Sequence, residues 1–270
     1  MKGLDKSKKL IKPIFATIYI ELKLQKVKFI TFSVITIILF IITSVIPYLS
    51  TPFFNIAQTQ ADYMLVSANF YLFMVIISIG VFFSGIICSE YQKKTGLTIL
   101  PLINKPQLII GKYIANSILV IGIGIIYFSS MAIFSYYLYG GPILYTLFIS
   151  FGFLILYLLA LASITTFLSS FMPSILPVFA TITSLVLFGG FVIDPVLRTL
   201  GTNLEPIYSV SYLFYIIIFT FYPNFSSIER FQESSSTWLF PSAEGAILIL
   251  IIYSIGFFLL AYLLFRKRQL

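Results

Sequence analysis

The chain has 270 residues, 59% of them hydrophobic and only 10% charged, with a mean hydropathy of +1.04. Soluble domains carry roughly a quarter charged residues, so this composition excludes a water-soluble globule and indicates an all-α polytopic membrane protein folded as one bundle. The lone Cys88 excludes an internal disulfide or a cysteine metal cluster, histidine is absent, and the net charge of +8 takes its meaning from where the charges sit.

Residues 1–28 hold eight lysines. Helical spacing gathers Ile11, Ile14, Phe15, Ile18 and Leu22 into a stripe beside Lys8, Lys12, Lys23 and Lys26, which predicts an interfacial helix with its lysines toward anionic lipid. The alternation of Ile20, Leu22 and Leu24 with Glu21, Lys23 and Gln25 also reads as a strand, although a lone strand beside a bilayer has no pairing partner. No cleavable signal peptide is predicted, because the apolar run that follows is long enough to span. Span 1 covers 29–49 and stops at Pro47 and Ser50-Thr51-Pro52. Span 2 covers 66–88 and ends beside Glu90. After the charged connector 89–112, span 3 covers 113–139 and meets a tight turn at Gly140-Gly141-Pro142. The apolar tract Ile143 to Ile193 is too long for one helix. Ser169-Ser170, Pro173 and Pro177 divide it into span 4 (143–171) and span 5 (174–193). The polar segment 194–245 contains Tyr208 to Tyr222, fifteen uncharged residues between Pro206 and Pro223. That is short for a span and reads as a re-entrant or outer helix. Span 6 covers 246–265 and is followed by Arg266-Lys267-Arg268.

Six spans with the N-terminus inside place 15 of the 17 lysines and arginines in 1–28, 89–112 and 266–270, leaving Arg198 and Arg230 outside. This positive-inside bias predicts a plasma-membrane protein with both termini cytosolic. It also gives the basic charge to the membrane surface rather than to nucleic acid. No Asp, Glu, Lys or Arg falls within the six spans so drawn. Ion-coupled carriers generally place such groups at bilayer depth. There is no Walker A loop, HExxH or GxSxG either, so no catalytic residue, cofactor or metal is expected in this chain. Gly80, Gly85, Gly122 and Gly124 read as helix-packing positions. Ser163, Thr165, Thr166, Ser169 and Ser170 read as bonding back to their own helix.

The connector is short enough to transmit force to spans 2 and 3. Thr95-Gly96 punctuates it, Leu97 to Ile103 supply an apolar face, and Pro101 and Pro106 stiffen it. Gly111-Lys112 opens span 3. Glu90, Lys93, Lys94 and Lys112 also read as ordinary flanking charges, and Gly111 as a close-packing site. The order Glu90, Thr95-Gly96, Leu97 to Leu102, Pro106, Gly111-Lys112 resembles the membrane subunits of ABC-2 type transporters. So do the six-span layout, the basic N-terminal "elbow" helix and the long outer segment before span 6. The resemblance implies that 89–112 is a cytosolic coupling loop, with Glu90, Lys93, Lys94, Thr95, Gly96, Leu97, Pro101, Pro106, Gly111 and Lys112 contacting a separate ATP-binding subunit. It further implies that ATP and Mg reside in that partner, that a second permease chain completes the unit, and that the complex exports its substrate. A stand-alone carrier or channel and a non-transporting scaffold are the alternative readings.

Overall fold

Long apolar segments leave the backbone no water to bond, so each satisfies its own N–H and C=O groups as a helix. The computed structural model describes residues 2–49, 59–93, 104–189, 196, 205–222, 230–232 and 237–267. Helix α1 (Lys2–Phe40) passes through a π turn (Ile41–Val45) into a last turn, Ile46–Leu49. Helices α2 (Gln60–Phe83), α3 (Cys88–Lys93), α4 (Lys105–Tyr139) and α5 (Thr146–Phe171) follow. Then come α6 (Ile175–Phe188), α7 (Val210–Phe219) and α8 (Ala243–Lys267). A two-residue ladder pairs β1 (Phe231–Gln232) with β2 (Thr237–Trp238), Phe231 opposite Trp238.

Among the described residues, five helical stretches are long and apolar enough to cross a bilayer: Lys12–Val45, Gln60–Glu90, Lys105–Tyr139, Thr146–Phe171 and Ala243–Lys267. The chain is thus built as a multi-pass membrane protein. Spans 1, 2, 3, 4 and 6 of the sequence reading fall on these five.

The predicted span 5 does not reach full length among the described residues. Helix α6 has 14 residues, about 21 Å, against a bilayer core of roughly 30 Å; residues 190–193 lie outside the described set. Its first turns fill glycine notches at and just beyond the C-terminal end of α2: Phe179 lies over Gly80, and Ile175 lies against Gly85. At its last turn the Ser211 hydroxyl of α7 donates to the Val186 carbonyl at 2.8 Å. Helix α7 continues upward along α5, with Phe214 packed on Tyr157 (centroids 5.4 Å apart) and Ser150 Oγ donating to the Ile217 carbonyl at 2.8 Å. Tyr212, Leu213, Ile216 and Ile217 are completely buried. The segment predicted as re-entrant or outer contains a short helix buried against α5 and α6, and α6 and α7 together make up about 36 Å of helix.

The elbow (1–28) and span 1 (29–49), expected as separate pieces, form one continuous helix with no break at residue 28. Packing against α4 is what holds it upright. Thr17 lies against Gly111, Phe29 against Gly122, and Phe40 against Tyr127 with centroids 5.4 Å apart. A Cβ at Gly111 would sit 2.7 Å from Thr17 Cβ and 3.2 Å from the Ile14 carbonyl oxygen, so only glycine lets the two backbones approach this closely.

The core is aromatic. Tyr71 and Tyr127 lie with centroids 4.6 Å apart, and Tyr127 Oη donates to the Ser67 carbonyl at 2.7 Å. Gly140 (φ 64°) and Gly141 (φ 76°) make the α4–α5 turn, with open space where either Cβ would stand. Lys105 lies over the Phe265 ring at 5.8 Å. The C-terminal end of α8 is thus at the same end of the bundle as Thr17, Gly111 and the start of α4.

Between α2 and α3 the helix loosens over residues 84–87. Ser169 Oγ of α5 repairs the gap, accepting from the Ile87 and Cys88 N–H groups at 3.1 and 3.0 Å and donating to the Ser84 carbonyl at 3.0 Å. Thr165 and Thr166 instead bond back to Leu161 and Ala162. Ser169→Ala should lower stability by about 1–3 kcal/mol, because two buried donors lose their acceptor. Thr166→Val, which removes only a local bond and keeps its shape, should cost less. Thermal unfolding of the two purified variants in detergent checks the difference.

Candidate functional site

The predicted coupling residues divide between two helix ends. Glu90 stands in the first turn of α3, and Lys93 is that helix's last residue. Pro106, Gly111 and Lys112 are helical residues of α4 and not part of a loop, which corrects the 89–112 boundary. The start of α4 explains this. Pro106 occupies the first turn, where its missing N–H costs nothing, and Gln107 Oε1 reaches back to accept from the Asn104 N–H at 3.2 Å. Lys94, Thr95, Gly96, Leu97 and Pro101 lie outside the described residues.

Across the base of this segment Lys112 Nζ forms an ion pair with Glu90 Oε1. Both side chains are largely withdrawn from solvent, at 12% and 7% exposure. Neighbouring contacts brace each end. The Ser169 bonds hold the turn that leads into Glu90, and Cys88 Sγ donates to the Ser84 carbonyl at 3.0 Å. On the α4 side Gly111 is pressed against Thr17. The Thr17 hydroxyl bonds to the Pro13 carbonyl at 2.8 Å, which fixes the side chain that fills the Gly111 notch. Glu90, Lys112, Gly111 and Thr17 therefore tie α1, α3 and α4 into one block at the basic end. The exposed Arg266 and Lys267 at the end of α8 complete that basic surface.

No nucleophile–base pair is assembled by these residues; they form a clamp. Its partly desolvated ion pair is strong while both members are present, and losing one strands a buried charge.

Sequence reasoning placed Glu90, Gly111 and Lys112 at this end but did not foresee Ser169 or Thr17, which hold them in place. It also missed a second anchoring cluster at the opposite end. There Glu205 Oε1 accepts from Arg230 Nη1 at 2.9 Å and from the Ser242 N–H at 3.0 Å, and Arg230 lies over the Trp238 ring at 5.4 Å. Tyr253 Oη donates to the Tyr208 carbonyl at 2.6 Å. Glu205 and Arg230, of opposite sign on either side of the uncharged run 206–228, were the available signal.

No protein-family model matches the chain, and no curated protein aligns with it significantly.

If the Glu90–Lys112 pair is the clamp, Glu90→Gln and Lys112→Met should each destabilise the chain by about 3–5 kcal/mol, while the double variant loses much less than the sum. A double-mutant cycle on thermal unfolding reads the coupling directly. Additive losses would show that the two groups act independently.

Proposed function

We propose that the chain is the membrane-spanning permease subunit of an ATP-driven transporter of the ABC-2 type, an exporter with no catalysis of its own. One observation carries the reading. The chain's central basic segment springs from a base fixed by the Glu90–Lys112 pair and by the Gly111–Thr17 contact. A segment held this way passes a push on residues 94–103 to α2 and α4 instead of absorbing it.

In this reading the segment faces the cytosol of the cell membrane, as do both termini. It seats in an ATP-binding partner subunit that holds ATP and Mg. Two permease chains, identical or different, pair with two such ATPases, and nucleotide-driven closure of the ATPases tilts the clamped block. The α6–α7 pair then serves as the sixth, interrupted crossing, with the Glu205 cluster tying down its far end.

A second reading, a stand-alone six-span carrier, draws on one feature. Two short helices meeting end to end inside the bundle are a device that gradient-driven carriers use to build sites at mid-membrane depth. Glu21, buried on α1 and accepting from Gln25 Nε2 at 3.1 Å, adds a carboxylate to a candidate crossing helix. It lies one turn beyond Thr17, near the basic end.

Purification from the native membrane should bring down a nucleotide-binding protein, and reversing Glu90→Lys should abolish transport-coupled ATP hydrolysis while membrane insertion stays normal. A chain that purifies alone and supports flux in liposomes without ATP would establish the carrier instead.

A further inference from the structure

Beside the clamp, α4 holds a polar side chain that the clamp does not use. Asn116 is 1% exposed, and among the described residues neither end of its carboxamide has a hydrogen-bond partner. A buried amide left unpaired is costly, and an apolar group of the same shape would avoid that cost. Asn116 stands four residues beyond Lys112, so the two side chains lie one above the other on one face of α4, with Cβ atoms about 5–6 Å apart. It is the next polar side chain on that face, in a helix that carries no charge from Tyr113 to Tyr139.

The other half of the clamp sits beyond a hinge. In the turn over residues 84–87, the Ile86 N–H bonds to the Phe83 carbonyl at 3.1 Å and the Glu90 N–H to the Ile87 carbonyl at 3.0 Å, three residues back in place of four. The Ile87 and Cys88 N–H groups bond to Ser169 and not to their own helix. The turn joining α3 to α2 is thus held largely by a side chain of α5, and α3 can swing about it while α2 stays packed in the core.

We propose that the clamp is a two-position catch in which Lys112 has two seats: the Glu90 carboxylate when α3 is docked on α4, and Asn116 Oδ1 when α3 swings away about residues 84–87. The main penalty for opening a withdrawn ion pair is the charge left without a partner. Turned toward the C-terminal end of α4, Lys112 Nζ instead donates a charge-assisted hydrogen bond to the Asn116 amide oxygen. The docked position keeps the stronger, carboxylate partner and is the resting state, while Asn116 lowers the cost of leaving it. The inference rests on the clamp itself and stands or falls apart from any transport activity.

The test uses the full chain in detergent, read by thermal unfolding and by the rate at which maleimide labels Cys88, the chain's one cysteine, buried at the start of α3. Asn116→Leu should leave the melting midpoint unchanged or raise it, because the amide has no bond to lose while α3 is docked. It should also slow Cys88 labelling by at least about tenfold, since the open position loses a hydrogen bond to a charged group. Glu90→Ala, which removes the first seat, should speed labelling and lower the midpoint. That drop should be about twice as large on the N116L background, where Lys112 has lost both seats. A midpoint lowered by N116L, up to failure to fold, would show the amide bonded in the docked state, by water or by a side chain, and overturn the proposal. Labelling that N116L leaves unchanged, or equal losses from Glu90→Ala on both backgrounds, would overturn it as well. Should Glu90→Ala not fold, the labelling rates of the unaltered chain and N116L decide alone.

Discussion

Inside a bilayer no water is at hand to satisfy a backbone group that its own helix leaves unpaired, and this constraint governs the fold. The chain breaks its helices at several points, and at three of them a hydroxyl from another element meets the break. Ser169 covers the loosened turn between α2 and α3. Ser211 bonds the last turn of α6, and Tyr253 takes the Tyr208 carbonyl just ahead of α7. Near the end of α1, Pro47 has no N–H to return to the preceding turn, the helix widens into a π turn, and Thr43 bonds back to Leu39 at 2.8 Å. Interruptions that would cost several kcal/mol each in hydrocarbon are tolerated because side chains on neighbouring elements complete them.

The same economy shapes the basic end. A buried ion pair is a poor source of net stability but a strong constraint on geometry, since either partner alone is far worse off. Glu90 and Lys112 fix how α3 and α4 meet, while Gly111 fixes how closely α1 approaches. Hydroxyl bonds brace both sides. What results is a block of three helix ends.

Much of this layout was legible in the chain. The predicted spans 29–49, 66–88, 113–139, 143–171 and 246–265 fall on the five long helices, because nothing but a helix suits an apolar segment of that length in lipid. Among the described residues α6 covers Ile175–Phe188 of the predicted span 174–193, and the hydropathy over Ile143 to Ile193, being unbroken, gives no sign of where it stops. The N-terminal stripe was read as an interfacial helix separate from span 1; Phe15 on that stripe is 67% exposed. Beside lipid the polar face turns to the protein, and Thr17 and Glu21 are the buried positions. Gly111 and Gly122, three turns apart on α4, marked the groove for α1, and their packing role was recognised. The hydroxyls that matter most were indistinguishable in sequence from those that bond back locally. Ser169 differs from Thr165 and Thr166 only in facing a gap in another helix, which no local pattern reveals.

The hairpin between α4 and α5 carries a consequence of its own. Its two glycines occupy left-handed backbone with empty space around them. A single methyl group there would cost about 1–2 kcal/mol from backbone strain alone, whereas doubling the length of such a connection costs only about 0.6 kcal/mol in closure entropy. Descendants of this chain would therefore vary at that corner by gaining whole residues more readily than by exchanging one.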